Sequence, residues 1–243
     1  MKAIILAAGL GTRLQPYTLF IPKPMLPIGN KPLLEHIIEW IKVDGGVDHI
    51  IVCTSYLYRT IENYFDEGKR LGISIEYVRT DRPLGTAGQL KSAEKKLDDI
   101  FICLNSDHIY EFSLLKMINH HKKSAALVSI ALMNYKTKLE YGFISINREN
   151  RVTDWSEKPE VTGLINIGCY IIEPEFLKFI PRSMTFGMDD AMRKALSQNK
   201  IIKAFRIKRT RLIDVADRKS YINIYKSYIN KLDKLKGQKY HYY

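Results

Sequence analysis

The sequence lacks any apolar run close to the roughly 20 residues that a membrane-spanning helix needs. Its N-terminal segment MKAIILAAGLGTR has one Lys and a short apolar run, which ends in Gly-Thr-Arg. A secretory signal would continue through a longer apolar region and a small-residue cleavage site, so we interpret this segment as a first β-strand. The sequence therefore predicts a cytoplasmic protein without a membrane partner.

Cysteine is scarce, with Cys53, Cys103 and Cys169 each lying inside an apolar segment and no C-x-x-C pair. This pattern argues against a disulfide framework or a zinc site and predicts buried, reduced thiols. No Ser-His-Asp or Cys-His arrangement is visible, and the histidines have no partner pattern, so we interpret them as solvated or structural. No segment is rich enough in Pro, Gly or Ser to mark a linker between domains.

Acidic residues are fewer than basic ones, 26 against 38, which gives a formal net charge of +12. Such a charge points to an anionic partner, which could be a nucleic acid, a membrane surface or a phosphorylated substrate. The basic clusters at 203–211 and 231–239 carry no nucleic-acid-binding motif, and a solvated Lys-rich surface explains them equally well. We therefore predict no nucleic-acid partner.

Short apolar segments alternate with helical stretches over the first hundred residues. This rhythm predicts a parallel sheet with helices on both faces, where phosphate ligands bind beyond the carboxyl ends of the strands. Closely spaced strand patterns from residue 125 onward predict a mixed or antiparallel extension of the same sheet. The predicted fold class is thus α/β, with a Rossmann-like, mainly parallel mixed sheet. The strands are expected at 2–7, 49–55, 73–78, 100–104, 125–133, 141–148, 151–159, 165–172, 201–207 and 211–215.

The last part of the sequence, 220–243, reads as an amphipathic helix followed by a basic tail. The unit Ser-Tyr-Ile-Asn recurs at 220–223 and 227–230 and places apolar residues on one helical face. We expect this face to pack on the preceding domain, 1–219; a contact between two copies of the chain is the alternative.

The stretch LAAGLGTRLQPYTLFIPKPMLPIGNKPLLEH, 6–36, leaves the first strand through two glycines. Gly9 and Gly11 let the backbone approach a ligand closely, and consecutive N–H groups there can face an anion. Arg13 adds a planar fork suited to phosphate oxygens. Prolines on both sides of Lys23 predict an extended backbone that presents the ammonium group. A third glycine and a G-K-[ST] motif are absent, which excludes a dinucleotide fingerprint and a P-loop.

This stretch resembles the signature of the sugar-1-phosphate nucleotidyltransferases, also called nucleotide-sugar pyrophosphorylases. Further resembling segments follow in the family's order and extend the similarity to about residue 225. They are RPLGTAGQL (82–90), LNSDH (104–108), YGFISIN (141–147), WSEKP (155–159), INIGCYII (165–172) and RLIDVADRKSYI (211–222).

The resemblance implies a reversible reaction in which a sugar 1-phosphate attacks the α-phosphate of a nucleoside triphosphate and pyrophosphate leaves. It implies that Arg13, Lys23 and Asp107 are catalytic, and that Asp107 and Asp214 hold one Mg²⁺, which needs few carboxylates beside phosphate and water. The implied nucleotide-binding residues are Leu6, Ala8, Gly9, Gly11, Thr12, Arg13, Gly85, Thr86 and Gln89, the last three at a helix start with free N–H groups. The implied sugar-phosphate-binding residues are Gly142, Glu157, Lys158 and Asn166.

The sequence departs from the family pattern at Ser106 and Ala216, where glycine is usual, and at Leu212, where an aromatic residue is common. The loop PLGTAG resembles the mannose-1-phosphate guanylyltransferase branch, so GTP and mannose 1-phosphate are the expected substrates. Glucose 1-phosphate with dTTP or UTP is the alternative, and a non-catalytic, nucleotide-sugar-binding regulatory homologue is another. No left-handed β-helix domain and no trimer built on it are expected, and a homo-oligomer of another kind is left open.

Overall fold

The computed structural model describes residues 1–207 and 213–236, with side chains described as far as residue 229. Within these residues the chain forms thirteen strands, which are, in order, β1 (Lys2–Leu6), β2 (Pro27–Ile28), β3 (Lys31–Pro32), β4 (His49–Thr54), β5 (Ser74–Arg79), β6 (Phe101–Asn105), β7 (His108–Ile109), β8 (Val128–Lys138), β9 (Phe143–Ile146), β10 (Val152–Ser156), β11 (Glu160–Ile172), β12 (Ile202–Ile207) and β13 (Ile213–Asp214). The helices are α1 (Leu33–Gly45), α2 (Tyr58–Phe65), α3 (Gly85–Ser92), α4 (Leu114–Lys122), α5 (Met188–Ser197) and α6 (Arg218–Lys236).

Seven strands form the central sheet, in the order β12-β8-β11-β6-β1-β4-β5. The pairs β6–β1, β1–β4, β4–β5 and β12–β8 are parallel, whereas β11 pairs antiparallel with both of its neighbours. β11 therefore runs against the other six strands, and the predicted mainly parallel, mixed α/β sheet is confirmed. The carboxyl ends of β1 and β6 lie side by side at one edge, since Leu6 is in register with Asn105.

The predicted antiparallel extension is correct for β8 and β11 but wrong for β9 and β10. These two strands pair only with each other in a separate two-stranded sheet. All four residues of β9 are exposed, and so are four of the five residues of β10. The alternating pattern of the sequence specifies a strand, but it does not specify which sheet the strand joins.

Both faces of the central sheet are buried. Neighbouring side chains along each strand point to opposite faces, so each strand contributes to two cores. Ile5 and Leu104 belong to a core that includes α1 and α4, whereas Ile4 and Cys103 belong to a second core that includes α3 and α5. Each fully buried Leu or Ile side chain contributes about 1.5–3 kcal/mol to folding. The predicted helices on both faces are thus present.

Helix α1 shows how the sequence sets these elements. Its apolar residues recur at helical spacing, and Leu33, Ile37 and Ile41 are all fully buried. The helix ends where Gly46 adopts a left-handed conformation (φ 64°) and its N–H is bonded to the carbonyls of the last turn. Helix α4 was not predicted, although Ser113 caps its first turn by accepting a hydrogen bond from the Lys116 N–H.

Helix α6 lies against the segment that follows β1. The Tyr221 hydroxyl donates a hydrogen bond to the Pro27 carbonyl over 3.0 Å, and its ring contacts that of Tyr17 with centroids 5.6 Å apart. Tyr228 packs closely on Gly29. A contact of this helix with a second copy of the chain stays a prediction. Leu212, residues 208–211 of the first basic cluster and the whole second basic cluster fall outside the residues whose side chains are described.

The three cysteines are free and buried, as predicted. Burial raises the pKa of Cys53 to about 12, so the thiol stays protonated and unreactive at neutral pH. Among the described helices, none has the combination of length and apolarity needed to cross a membrane.

Candidate active site

The segment after β1 folds into three short 3₁₀ turns rather than one irregular loop. They are Thr12–Leu14, Tyr17–Leu19 and Lys23–Met25. Pro22 is extended, as predicted, but Lys23 is not, because it begins a turn closed by a 2.8 Å hydrogen bond from the Met25 N–H to the Pro22 carbonyl. The prolines thus start a tight turn that directs the Lys23 side chain.

Gly11 is the position in this segment that requires glycine. Its backbone is left-handed (φ 63°), and an added Cβ would lie 3.0 Å from Thr18 Cγ2 and 3.1 Å from Lys23 Cβ. Gly9 is different, because nothing lies within 4 Å of the place where its Cβ would be. The space beside Gly9 is therefore open to a ligand, whereas Gly11 shapes the loop itself.

A cleft of about 240 Å³ opens at the carboxyl ends of β1 and β6. Its position agrees with the rule that ligands of open α/β sheets bind beyond the carboxyl ends of the strands. The predicted residues that line it are Leu6, Gly9, Gly11, Thr12, Arg13, Lys23, Thr86, Gln89 and Asp107. Leu14, Pro24, Asn105, Ser106 and Ala216 also line it and were not predicted as site residues.

Lys23 and Asp107 form the ion pair of this cleft. The Lys23 ammonium lies 3.1 Å from Asp107 Oδ2, and the two side chains are 12% and 27% exposed. Asp107 follows the end of β6, where the sequence predicted a carboxylate facing the crevice. Among the described residues Arg13 forms no ion pair, and its exposed guanidinium lies at the cleft, available to an anion.

His108 lies between the two carboxylates that were predicted to hold a metal. Its Nδ1 is 2.6 Å from Asp107 Oδ1, and its Nε2 is 3.4 Å from Asp214 Oδ1. This histidine is not solvated, since its side chain is only 14% exposed, and the structural role that the sequence predicted for it stays a prediction. Its place directly after Asp107 in the sequence was the available signal, but its contact with Asp214 depends on the pairing of β7 with β13.

Electrostatics keep Asp107 ionised. Burial raises the pKa of its carboxyl, but the neighbouring His108 and Lys23 outweigh burial and hold the pKa well below its usual range. Asp107 is therefore an anion at every pH at which the protein would work, as a metal ligand must be.

The described residues fit a divalent cation. One ligand atom from each of Asp107, His108 and Asp214 can be chosen so that all three lie within 4.8 Å of one another. Opposite ligands of an octahedral Mg²⁺ are about 4.2 Å apart, so small side-chain shifts suffice. In addition, Asp107 Oδ1 and His108 Nδ1 are buried and lie within the cluster, 2.6 Å from each other.

The start of α3 differs from the prediction of free N–H groups. The N–H groups of Ala87 and Gly88 both donate to the Phe186 carbonyl, and Thr86 Oγ1 accepts a hydrogen bond from the Met188 N–H. Gln89 Oε1 accepts from the Ala8 N–H over 3.1 Å. These groups therefore join α3 to α5 and to β1. Gln89 also lines the cleft.

Gly85 has a structural role at the same place. Its φ is 69°, and a Cβ there would lie 2.5 Å from the Phe186 carbonyl oxygen. It does not line the cleft. Its predicted contact with a nucleotide stays a prediction.

The predicted sugar-phosphate residues do not line this cleft. Gly142 and Glu157 are neighbours, since a Cβ on the glycine would lie 2.9 Å from Glu157 Oε2. Lys158 is exposed, whereas the Asn166 amide donates to the Tyr170 hydroxyl and accepts from the Gly168 N–H. Gly142 and Glu157 flank the strands of the β9–β10 sheet, whereas Asn166 belongs to β11. The structure therefore does not gather the four predicted residues into one site.

Two of the three departures from the family pattern, Ser106 and Ala216, line the cleft. Ser106 is buried, and its hydroxyl donates to the Leu6 carbonyl over 2.9 Å, which joins the ends of β6 and β1. Its side chain therefore points back into the sheet. Ala216 lies two residues after Asp214, beside the Val215 N–H that bonds to the Asp107 carbonyl.

A family model described as nucleotidyl transferase matches residues 2–231 of this sequence. A mannose-1-phosphate guanylyltransferase of Mycobacterium tuberculosis is 34% identical over 199 residues, which cover 81% of this chain and 55% of that protein. A UTP–glucose-1-phosphate uridylyltransferase of Synechocystis is 35% identical over 206 residues, covering 77% and 53%. The chain thus spans about half the length of the curated relatives it matches.

The fold has a solved counterpart in HddC from Yersinia pseudotuberculosis, whose structure complexed with GMP-PN superposes with a TM-score of 0.72. The two sequences are 28% identical, and the match covers 93% of this chain and 99% of that one. The helices and strands around the cleft therefore belong to a fold already seen with a nucleotide compound bound.

Proposed function

Because this chain belongs to the nucleotidyl transferase family, we propose that it joins GTP to mannose 1-phosphate, making a nucleotide sugar and pyrophosphate with Mg²⁺. One observation carries the proposal. The Lys23 ammonium and the Asp107 carboxylate meet at 3.1 Å in a cleft that also holds the glycine loop and Arg13. A cation for phosphate and an anion for a metal are what nucleotidyl transfer needs in one place.

In the proposed reaction a phosphate oxygen of the sugar 1-phosphate forms a bond with the α-phosphorus of the triphosphate. The bond from that phosphorus to the oxygen of the β-phosphate breaks, and pyrophosphate leaves. Lys23 holds the α-phosphate and the incoming phosphate, which would otherwise repel each other. Arg13 neutralises the β- and γ-phosphates and so stabilises the charge of the leaving group.

Asp107 and Asp214 would hold the cation, with the remaining positions left to phosphate oxygens and water. When bound, the cation neutralises phosphate charge and makes the α-phosphorus more electrophilic. Lys23 already balances the charge of Asp107 in the absence of substrate. We expect it to turn from Asp107 toward the phosphates once nucleotide and cation arrive.

Guanine is the proposed base, supported by the PLGTAG loop and by the guanylyltransferase relative. The Gln89 amide NH₂ is the group of this loop left free to donate to a base carbonyl. The second candidate is glucose 1-phosphate with UTP or dTTP. The uridylyltransferase relative, which is 35% identical to this chain, supports UTP. Gly142, Glu157, Lys158 and Asn166 are proposed to contact the sugar phosphate, which requires the β9–β10 sheet to close over the cleft.

The proposal places the reaction in the cytoplasm, in agreement with three free, buried cysteines. Its partners are the nucleotide and the sugar phosphate. The absence of a nucleic-acid partner and the state of association stay predictions.

The test is pyrophosphate release measured with Mg²⁺ over a grid of GTP, UTP, dTTP, ATP and CTP against mannose 1-phosphate and glucose 1-phosphate. Asp107→Asn is assayed beside Asp48→Asn, a control at an exposed aspartate outside the cleft. Release confined to GTP with mannose 1-phosphate, lost only in Asp107→Asn, supports the proposal. Release confined to glucose 1-phosphate with UTP or dTTP supports the second candidate instead.

Silence over the whole grid, with nucleotide binding intact by calorimetry, overturns the catalytic proposal. The chain would then be a regulatory homologue that binds nucleotide sugars. Retained activity in Asp107→Asn would contradict the metal assignment alone.

A further inference from the structure

The pairing of β7 with β13 brings a nitrogen base to Asp107, which lines the cleft, and to Asp214, which does not line it. The two strands are antiparallel, and His108 is directly opposite Asp214 in their register. Directly opposite residues have Cβ atoms about 5 Å apart, which explains the 3.4 Å between His108 Nε2 and Asp214 Oδ1. The strand register therefore places the two side chains within reach of each other.

The histidine is held between the two carboxylates of the cluster. Its side chain is 14% exposed, and its Nδ1 and Asp107 Oδ1 are buried atoms that face each other over 2.6 Å. Its other ring nitrogen, Nε2, faces Asp214. One imidazole nitrogen and two carboxylate oxygens gathered within 4.8 Å of one another form a donor set that suits a divalent cation.

We propose that His108 is a third protein ligand of the divalent cation, so that the site has one nitrogen beside the oxygens of Asp107 and Asp214. The inference rests on the metal site of the proposed function and extends it. Carboxylates and water suit Mg²⁺, whereas an imidazole ligand favours transition metals. The site therefore accepts Mg²⁺ but binds Mn²⁺ and Co²⁺ more tightly than a purely carboxylate site would.

The test measures metal binding without turnover. Mn²⁺ is titrated into the full chain and followed by the loss of the free-ion EPR signal, and Mg²⁺ affinity is obtained by competition. His108→Asn is compared with His49→Asn, whose histidine lies on β4 away from the cleft and contacts Glu76. We expect the preference for Mn²⁺ over Mg²⁺ to fall about tenfold in His108→Asn and to stay unchanged in His49→Asn.

Pulsed EPR on the Mn²⁺-loaded wild-type chain reports the ligand directly. A ¹⁴N coupling from a bound imidazole is expected in the wild type, and it should be replaced by a ¹⁵N coupling when the chain carries ¹⁵N-histidine. This measurement needs no variant, so it shows whether a histidine binds the ion even if His108→Asn does not fold, and among the described residues His108 is the histidine grouped with Asp107 and Asp214.

Two results would overturn the inference. The first would leave the proposed function intact, and the second would also refute its metal site. Tight Mn²⁺ binding that depends on Asp107 but shows no nitrogen coupling would refute the histidine ligand and leave the proposed function intact. No Mn²⁺ binding to the wild type, with or without GTP, would refute the metal site of the proposed function as well.

Discussion

Replacing Lys23 with methionine separates the two tasks that the structure gives to this side chain. Methionine keeps most of the apolar stem and removes the ammonium group that lies 3.1 Å from Asp107 Oδ2. The variant therefore loses the proposed contact with the α-phosphate, and it also loses the partner of a partly buried carboxylate. The first loss lowers the rate, and the second lowers the stability of the free protein.

The sizes of both effects follow from the geometry. At 3.1 Å and an effective dielectric constant of about 20, the attraction is roughly 5 kcal/mol before desolvation is subtracted. Most of it is offset by desolvation, and His108 remains beside Asp107, so we expect a net loss of about 1–3 kcal/mol. For a chain of this length that corresponds to a fall in Tm of roughly 3–10 °C. Loss of one phosphate-stabilising donor lowers kcat by about 100- to 1,000-fold.

Steady-state pyrophosphate release and thermal unfolding measure the two effects on the same samples. Lys31→Met is the matched control, because Lys31 also forms an ion pair with a carboxylate, that of Glu39, but does not line the cleft. It should leave kcat unchanged. A Lys23→Met protein that is folded, binds GTP and keeps kcat within about threefold of the wild type would refute the role given to Lys23.

Three further predictions concern the loop, the helix that supports it and the pH dependence of folding. Gly11→Ala should cost about 1–2 kcal/mol, because its φ of 63° is left-handed, and should lower both Tm and activity. Tyr221→Phe removes the hydrogen bond to the Pro27 carbonyl of β2, which follows the Lys23 turn, and should raise KM for the nucleotide more than Tyr225→Phe, at an exposed residue one turn further along the helix. Burial raises the pKa of Glu35, but hydrogen bonds and the charge of Arg70 outweigh burial, so the pKa is lowered. Glu35→Gln should therefore destabilise the protein near pH 7, and the destabilisation should shrink below about pH 4.5.

Each of these has a contradicting outcome. A Gly11→Ala protein with wild-type Tm would show that the loop does not need the left-handed backbone. Equal KM values for Tyr221→Phe and Tyr225→Phe would remove the link between α6 and the nucleotide. The sign for Glu35 follows from its lowered pKa, since such a carboxylate stabilises the fold above its unfolded pKa and ceases to do so as the pH falls. A Tm difference between wild type and Glu35→Gln that grows as the solution is acidified would refute that sign.

The strands of the central sheet could be predicted from the sequence because both faces of the sheet are buried. Each of these strands is therefore a short, continuous apolar run. Ile4 and Ile5 are buried on opposite sides of β1, so the run needs no particular neighbour to be recognised as a strand. The separate β9–β10 sheet was not predicted, because exposed strands carry no burial pattern that reports their partner.

The sequence by itself determined the family, the α/β class and the residue types of the cleft, since the glycine loop and its cations lie within one short segment. The tertiary structure decided which of these groups meet. Lys23 and Asp107 are 84 positions apart and are joined only because the segment after β1 folds across the end of β6. The proposed metal-ligand cluster depends on the register of β7 with β13, and the N–H groups of Ala87 and Gly88 in α3 donate to the distant Phe186 carbonyl. Local patterns act through neighbouring residues, whereas these contacts depend on strand order and register, which no single segment encodes.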